Sequence, residues 1–368
     1  MSMRARDLKV KSYRSFPEYR LDLDEGVTVL VGANAAGKTN LIEALQLLTS
    51  GASFRHPSPR DLVRAGDASC SLALRVEGDG RVLDLGMAVE DGKRSFRRNG
   101  KRVGASGVRG VLPSVLFCPD HLDMVKRSAS VRRAALDDFG VQMSARYDEL
   151  VRTYERTVAQ RNALLKESWC CREMLGAWNE SLAGTGAALL VHRLALLERV
   201  AAHATRAYAQ VAAGEEAQIS YASSIGEIPR GLSRDQTRER ARDLFLAALD
   251  SACDEELRRG LTLVGPHRDE IEFSIAGRPA RTFASQGQQR TLVLAWKVAE
   301  VEVASEILGA TPLLLLDDVM SELDASRREA FIGLMGNQIQ TVITTTNLGY
   351  FSPEVLDRAK VVHIGGEK

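Results

Sequence analysis

Apolar residues at Leu292, Val293, Trp296, Ala299, Val303 and Ile307 keep a three- and four-residue spacing, which predicts a helix with one buried face. Just before them, Ser285 and Gln288 have the spacing of a capping box. The helix is therefore expected to begin near Ser285 with its first-turn amides pointing outward. Tyr147, Leu150, Tyr154, Val158, Arg161 and Leu165 repeat the helical period, and residues 233–260 predict another helix that Gly260 stops. A different rhythm governs residues 71–76 and 82–89, which alternate between apolar and polar. With turn signals at Asp79-Gly80, Asp91-Gly92 and Asn99-Gly100, they predict an antiparallel meander. Residues 27–31 are a short β-branched run, and residues 313–316 an unbroken apolar run, as expected of a strand covered on both faces.

The chain has 368 residues, enough for one large domain or two smaller ones. It is 45% hydrophobic, and no apolar run approaches spanning length, so no membrane role is expected. The charged stretch Met1 to Lys9 lacks an apolar signal core, which makes the cytoplasm the expected location. Five cysteines show no zinc-type spacing and read as reduced, mostly buried thiols. The formal net charge is only +1, so binding to nucleic acid would have to come from a local patch.

The β-branched run ends in Gly32-Ala33-Asn34-Ala35-Ala36-Gly37-Lys38-Thr39, and a helix is expected from Asn40. Strand, glycine-rich loop and helix in this order form a phosphate-binding loop. Its amides cradle phosphate, Lys38 neutralises the terminal oxygens, and Thr39 offers its hydroxyl to Mg²⁺. Such a loop needs a partner carboxylate for the metal, and "LLLLDD" supplies one where ligands of parallel sheets bind, at the carboxyl end of the strand. Asp317 is the expected metal ligand. Asp318 can reach the same site only if the strand ends there, because neighbouring side chains on a strand point to opposite faces; it would then polarise the attacking water.

The outward amides at Ser285-Gln286-Gly287-Gln288 suit an anion, with Gly287 allowing close approach; an ordinary capped helix fits the same residues. The run "KRSFRRNGKR" places Lys93, Arg94, Arg97, Arg98, Lys101 and Arg102 around an Asn-Gly turn. Such a hairpin can neutralise DNA phosphates or simply keep a sheet edge soluble. Lys126, Arg127, Arg132 and Arg133 are candidates to extend that surface.

Taken in order, residues 32–39, the stretch from Ser285 to Gln289, "LLLLDD" and Ser321-Glu-Leu-Asp324 resemble the ATP-binding-cassette (ABC) ATPases. Within that superfamily they resemble the SMC-like heads, and most closely the RecF family of bacterial recombination-repair ATPases. "LTLVGPHRDEIEF" (261–273) and "LKVKSYRSF" (8–16) carry the same resemblance. It implies an α/β, ABC-type P-loop ATPase head, with a mixed sheet, flanking helices and an antiparallel meander, plus an inserted α-helical lobe. The head is expected at residues 1–121 and 251–368, and the lobe at 122–250. Ser285 to Gln288 would be a signature facing ATP held by a second subunit, Asn40 would close the nucleotide loop, and Ser321 and Asp324 would belong to the D-loop. It further implies an ATP-induced homodimer on double-stranded DNA and single-strand/double-strand junctions, with slow ATP hydrolysis that DNA stimulates. RecO- and RecR-like partners, RecA loading in gap repair and the SOS response complete the expectation.

The sequence departs from the wider superfamily in three places. Asp318 stands where transporter ATPases carry glutamate, Thr345 or Thr346 where they carry a switch histidine, and "LFCPDHLDMV" offers Asp120 or His121 but no glutamine. The energising subunit of a transporter and a Rad50-like nuclease partner are the alternatives. The basic hairpin and missing histidine count against the first, and the short helical insert against the second. A kinase or GTPase would leave the residue-285 region unexplained, and no Asn-Lys-x-Asp guanine motif is present.

Overall fold

A computed structural model describes residues 3–212, 214–229, 231–335 and 339–365. Its strands are β1 (Arg4–Tyr13), β2 (Phe16–Asp22), β3 (Val27–Val31), β4 (Cys70–Gly78), β5 (Arg81–Glu90), β6 (Lys93–Arg98) and β7 (Lys101–Val103). They continue as β8 (Ser114–Phe117), β9 (Ala217–Ala222), β10 (Glu270–Ile275), β11 (Arg278–Pro279), β12 (Leu313–Asp317), β13 (Thr341–Thr345) and β14 (Lys360–His363). The chain forms two compact units, Met1–Asp123 with Val293–Lys368, and Met124–Leu292.

In the first unit two sheets enclose one helix. The meander is antiparallel, in the order β2-β1-β4-β5-β6-β7, and its two Asp-Gly turns and one Asn-Gly turn place both central residues at positive φ, from Asp79 (50°) to Gly100 (75°). Asp-Gly and Asn-Gly pairs tolerate that conformation, so the hairpins close in two residues. The other sheet is parallel, in the order β14-β3-β13-β12-β8. The helix Lys38–Ser50 buries Leu41, Leu45 and Leu48 among Leu8, Leu72, Leu74 and Met87 of the meander and Leu313, Leu315 and Val342 of the parallel sheet. Each buried Leu removes ~1.5–3 kcal/mol worth of apolar surface from water, so this helix is fixed from both sides. What it fixes at its N-terminus is the glycine-rich loop. The expected α/β head with an antiparallel meander is present, its described residues forming one antiparallel and one parallel sheet.

The second unit is built on the helices Ala129–Met143, Ala145–Leu165, Gly176–Val211 and Arg234–Arg259. Ser233 caps the last of these through Gln236, and Gly260 ends it in the left-handed conformation. A three-stranded sheet, β11-β10-β9, is also present here and is not anticipated from the sequence. Pairing of β10 with β9 ties residues 270–275 to residues 217–222, which explains why 251–292 cluster with this unit rather than with the head segment expected from residue 251. The helix Gln286–Leu308 begins in this unit and continues into the other. Of its six periodic residues, five are buried and Ile307 is exposed. Among the described residues no helix is long and apolar enough to cross a membrane.

Candidate nucleotide site

β3 delivers the chain into a turn whose glycines answer to close neighbours. A side chain at Gly32 would lie 2.3 Å from the carbonyl oxygen of Ile364. Gly37 has φ +99°, and a Cβ there would meet the Phe16 ring at 2.6 Å. Ala33, Asn34 and Ala35 are at the rim, while Ala36 closes the turn by donating its amide to Ala33. Lys38 is buried, and its ammonium donates to the carbonyls of Gly32 (2.8 Å) and Ala33 (2.9 Å). Those are bonds that an incoming phosphate oxygen can replace.

Thr39 Oγ1 donates to Asp317 Oδ1 at 2.8 Å, joining the loop to the tip of β12. Thr344 donates to the same oxygen at 2.8 Å. Burial pushes the Asp317 carboxyl up, against the hydrogen bonds from Thr344 and Thr39 that hold it down. The strand ends at Asp317, and Asp318 turns into the left-handed region (φ 52°), with its amide donated to Thr344 Oγ1. Asp318 Oδ1 is enclosed without a hydrogen-bond partner. Burial raises this carboxyl too, with Lys38 as the strongest opposing influence. Two carboxylates, a hydroxyl and an ammonium thus converge at the loop, and the orphaned oxygen marks a place for a ligand. Oxygen donors of this kind suit a hard cation such as Mg²⁺, so the residues fit ATP and magnesium.

The loop also has a clamp that no sequence motif reveals. Asn40 donates to Ser15 Oγ (3.1 Å) and accepts from Arg55 (2.9 Å), and Arg55 lowers the Asp317 carboxyl. Arg55 follows the loop helix by five residues, and nothing in the spacing around it singles it out. Thr344 is likewise hidden, because inside "TVITTT" nothing separates it from its neighbours. Thr345 is spent within its own turn, bonded to Asn347, and Thr346 is exposed. Ser321 Oγ donates to the Asp318 carbonyl, while Asp324 caps the helix Ala325–Met335 through the Arg327 amide. Asp120 and His121 lie in the short helix Pro119–Leu122.

Ser285 to Gln288 lie in the second unit. The reciprocal cap is present: Ser285 N donates to Gln288 Oε1 (2.8 Å) and Gln288 N to Ser285 Oγ (3.2 Å). Gln288 also donates to Glu215, and Gln286 is exposed. Phe283, close by, is 63% exposed.

The basic run does not form one patch. β6 alternates, so Arg94 shares the inward face with buried Phe96, and its guanidinium reaches the Pro57 carbonyl. Lys93 and Arg97 are exposed on the other face, with Arg102 opposite Arg97, while Arg98 and Lys101 pair beside the turn. Two of the residues considered as an extension are structural. Arg132 is buried in a bidentate pair with Glu270, and Arg133 donates to the Asp269 carbonyl.

Fold and loop together define an ABC-type P-loop ATPase head of the SMC kind. The family model of the RecF/RecN/SMC N-terminal domain matches residues 5–362. The DNA replication and repair protein RecF of Nostoc punctiforme is 36% identical over 98% of both chains, and that of Lactobacillus acidophilus 34% identical over 97% of this chain and 96% of the relative. A solved structure of the recombination mediator protein RecF with ATP, of the RecFOR pathway, superposes with TM-score 0.86 at 29% identity, covering 95% of this chain and 94% of that one. The Smc head domain of Pyrococcus furiosus, at 17% identity and TM-score 0.54, shares the fold alone. The chain belongs to the RecF family.

Proposed function

We propose that this protein is an ATP-switched, DNA-binding repair ATPase that closes as a homodimer on double-stranded DNA and single-strand/double-strand junctions. The observation that carries this reading is the Thr39–Asp317 bond with the orphaned Asp318 oxygen beside it. Lys38 exchanges its carbonyl partners for the terminal phosphates of ATP, and the amides from Gly32 to Asn40 cradle the remainder. Thr39 and Asp317 would hold Mg²⁺, which when bound neutralises phosphate charge. Asp318 Oδ1 accepts a proton from the attacking water, a task that suits a carboxylate whose affinity for protons burial has raised. Its side chain is shorter than a glutamate, and the turnover is accordingly slow.

The capped helix start at Ser285, Gln286, Gly287 and Gln288 grips the ATP of a second copy, while Ser321 and Asp324 shape the loop between them. A two-fold dimer has two such joints. With charge-assisted hydrogen bonds worth about 1.5–3 kcal/mol each, two joints supply the ~5.5 kcal/mol that swings a two-state equilibrium from 1:99 to 99:1. Exposed Lys93, Arg97, Lys101 and Arg102 supply phosphate contacts that read no sequence, and Arg98 lies beside them. The relatives are named for DNA replication and repair and for the RecFOR pathway. For this chain that supports RecR and RecO as partners, help in loading RecA at gaps during recombination and the SOS response, and work in the cytoplasm.

Sedimentation with and without ATP, Mg²⁺ and duplex DNA tests the whole reading. A dimer is expected only with ATP, and tighter with DNA; a monomer under every condition would end it.

A further inference from the structure

We infer that a cavity within the second unit binds a nucleobase, either an unpaired base of DNA or a free nucleoside, held at its edges by Glu155, Asn162 and Arg133. The cavity measures about 370 Å³. That lies within the range of ~300–1,000 Å³ usual for small-molecule sites. Its walls come from the helices Ala129–Met143, Ala145–Leu165 and Gly176–Val211, with His267 from the "GPHRD" segment that the nucleotide site does not use.

The inner wall has no hydrogen-bonding capacity to spare. Arg193 is buried and bonded to Asp137, Tyr221 and the Pro266 carbonyl. His267 Nδ1 bonds the Tyr154 hydroxyl, and Nε2 the Thr262 carbonyl. The outer groups differ. Asn162 spends its oxygen on Thr262, which leaves its amide nitrogen free to donate. Arg133 uses only Nη1, and the Glu155 carboxylate has no hydrogen bond among the described residues. Donors and an acceptor therefore face the cavity unused, above apolar Val151, Val158 and Leu189.

This mixture decides the ligand class. Asp137 and Glu155 oppose a bare anion, Arg133 and Arg193 oppose a simple cation, and among the described residues the lining has no group of three His, Cys, Asp or Glu side chains that could hold a metal ion. A neutral planar ring with apolar faces and both donors and acceptors at its rim satisfies every group. Glu155 and Asn162 lie seven residues apart on one helix, a rise of ~10 Å, which suits a ring gripped at opposite edges rather than an ion. Guanine fits best. Its acceptor edge matches arginine, and its amino group matches a carboxylate. Glu155 is exposed to solvent, so a donor that reaches its carboxylate takes the place of water.

The site is independent of the P-loop and of the basic hairpin, and so is its test. Guanosine lacks the phosphates that the Lys38 loop grips, so equilibrium dialysis of the full-length protein with guanosine reports this cavity. In parallel, a gapped duplex with one photoreactive thioguanine in its single-stranded stretch is crosslinked and the modified peptide mapped. Glu155→Leu removes the acceptor, and Ala159→Trp fills the cavity from an exposed position. Duplex affinity and ATP binding should stay unchanged in both variants. At least tenfold weaker guanosine retention in both supports the free nucleoside as ligand. A crosslink within residues 145–165 that both variants abolish supports the extruded base. Absence of retention and of crosslink in the parent protein, or survival of both signals in Ala159→Trp, overturns the inference.

Discussion

Thr39 and Asp317 are 278 residues apart in sequence, yet the threonine hydroxyl donates to the aspartate across 2.8 Å. The bond brings a hydroxyl and a carboxylate together before any cation arrives, so little reorganisation is needed to bind one. Asp317→Asn keeps an oxygen for Thr39 and Thr344 but loses the charge. ATP affinity measured by calorimetry should drop at least tenfold with Mg²⁺ and hardly change in EDTA. Equal losses under both conditions would show that Asp317 serves the fold and not the metal.

Asp318 is held in a left-handed conformation with one oxygen enclosed and unpaired, a costly arrangement for a residue of no consequence. Asp318→Asn should bind ATP and dimerise as the parent does, while ATP turnover falls by ~10²–10⁴-fold, the usual worth of a general base. Because the base must be deprotonated and its pKa is raised, the parent's rate should climb with pH above the ordinary carboxylate range. Undiminished turnover in the variant would remove Asp318 from the chemistry.

Ser285 accepts the Gln288 amide, so its side chain already shapes the helix start. Ser285→Arg places a long cation where a second copy's terminal phosphate would dock. The variant should keep ATP affinity in calorimetry and lose ATP-dependent dimerisation in sedimentation. A normal ATP-induced dimer would contradict the shared-site reading.

What the sequence shows and what it hides follow from the reach of each interaction. The glycine loop, the Asp-Gly turns and the Ser285 cap are set by residues a few positions apart, and they are legible as spacing. β12 is legible because burial on both faces demands an unbroken apolar run. The β9–β10 pairing joins segments far apart in the chain, each only six residues long; Glu270–Ile275 does alternate, but nothing local identifies the strand it pairs with. Thr344 and Arg55 act through bonds that only the folded sheet creates. Charge counting fails at Arg94 and Arg132 for a related reason: a run of cations does not reveal which of them the strand or helix turns inward.

The split of the basic hairpin sharpens the DNA test. Arg97 and Arg102 are cross-strand partners exposed to solvent, whereas Arg94 is turned toward Pro57. Replacing Arg97 and Arg102 with alanine should weaken duplex binding and reduce the slope of log K against log salt by ~0.9 for each phosphate that is no longer neutralised. Arg94→Ala should lower thermal stability and leave the slope alone. An unchanged slope in the double variant would clear the hairpin of a role in holding DNA.

His267 gives the second unit a dependence on pH. Burial is the main cause that lowers its pKa to about 4, with Arg268 and Arg133 adding to the shift and the Thr262 carbonyl and Asp269 opposing it. The imidazole is therefore neutral in the folded protein, while the unfolded chain takes up a proton below the ordinary value of 6.5. Between these values the unfolded state binds more protons, so stability present above pH 6.5 is lost as pH falls toward 4; the full loss is about 3 kcal/mol. The carboxyls of Glu43 and Glu270 are lowered from 4.5, so they do not obscure the upper part of this window. His267→Gln should be less stable at neutral pH, because it disturbs the bond with Tyr154, but its stability should fall less between pH 6.5 and 5. Urea unfolding at pH 7, 6 and 5 measures the difference, and parallel pH profiles for parent and variant would show that His267 does not hold its proton off in the fold.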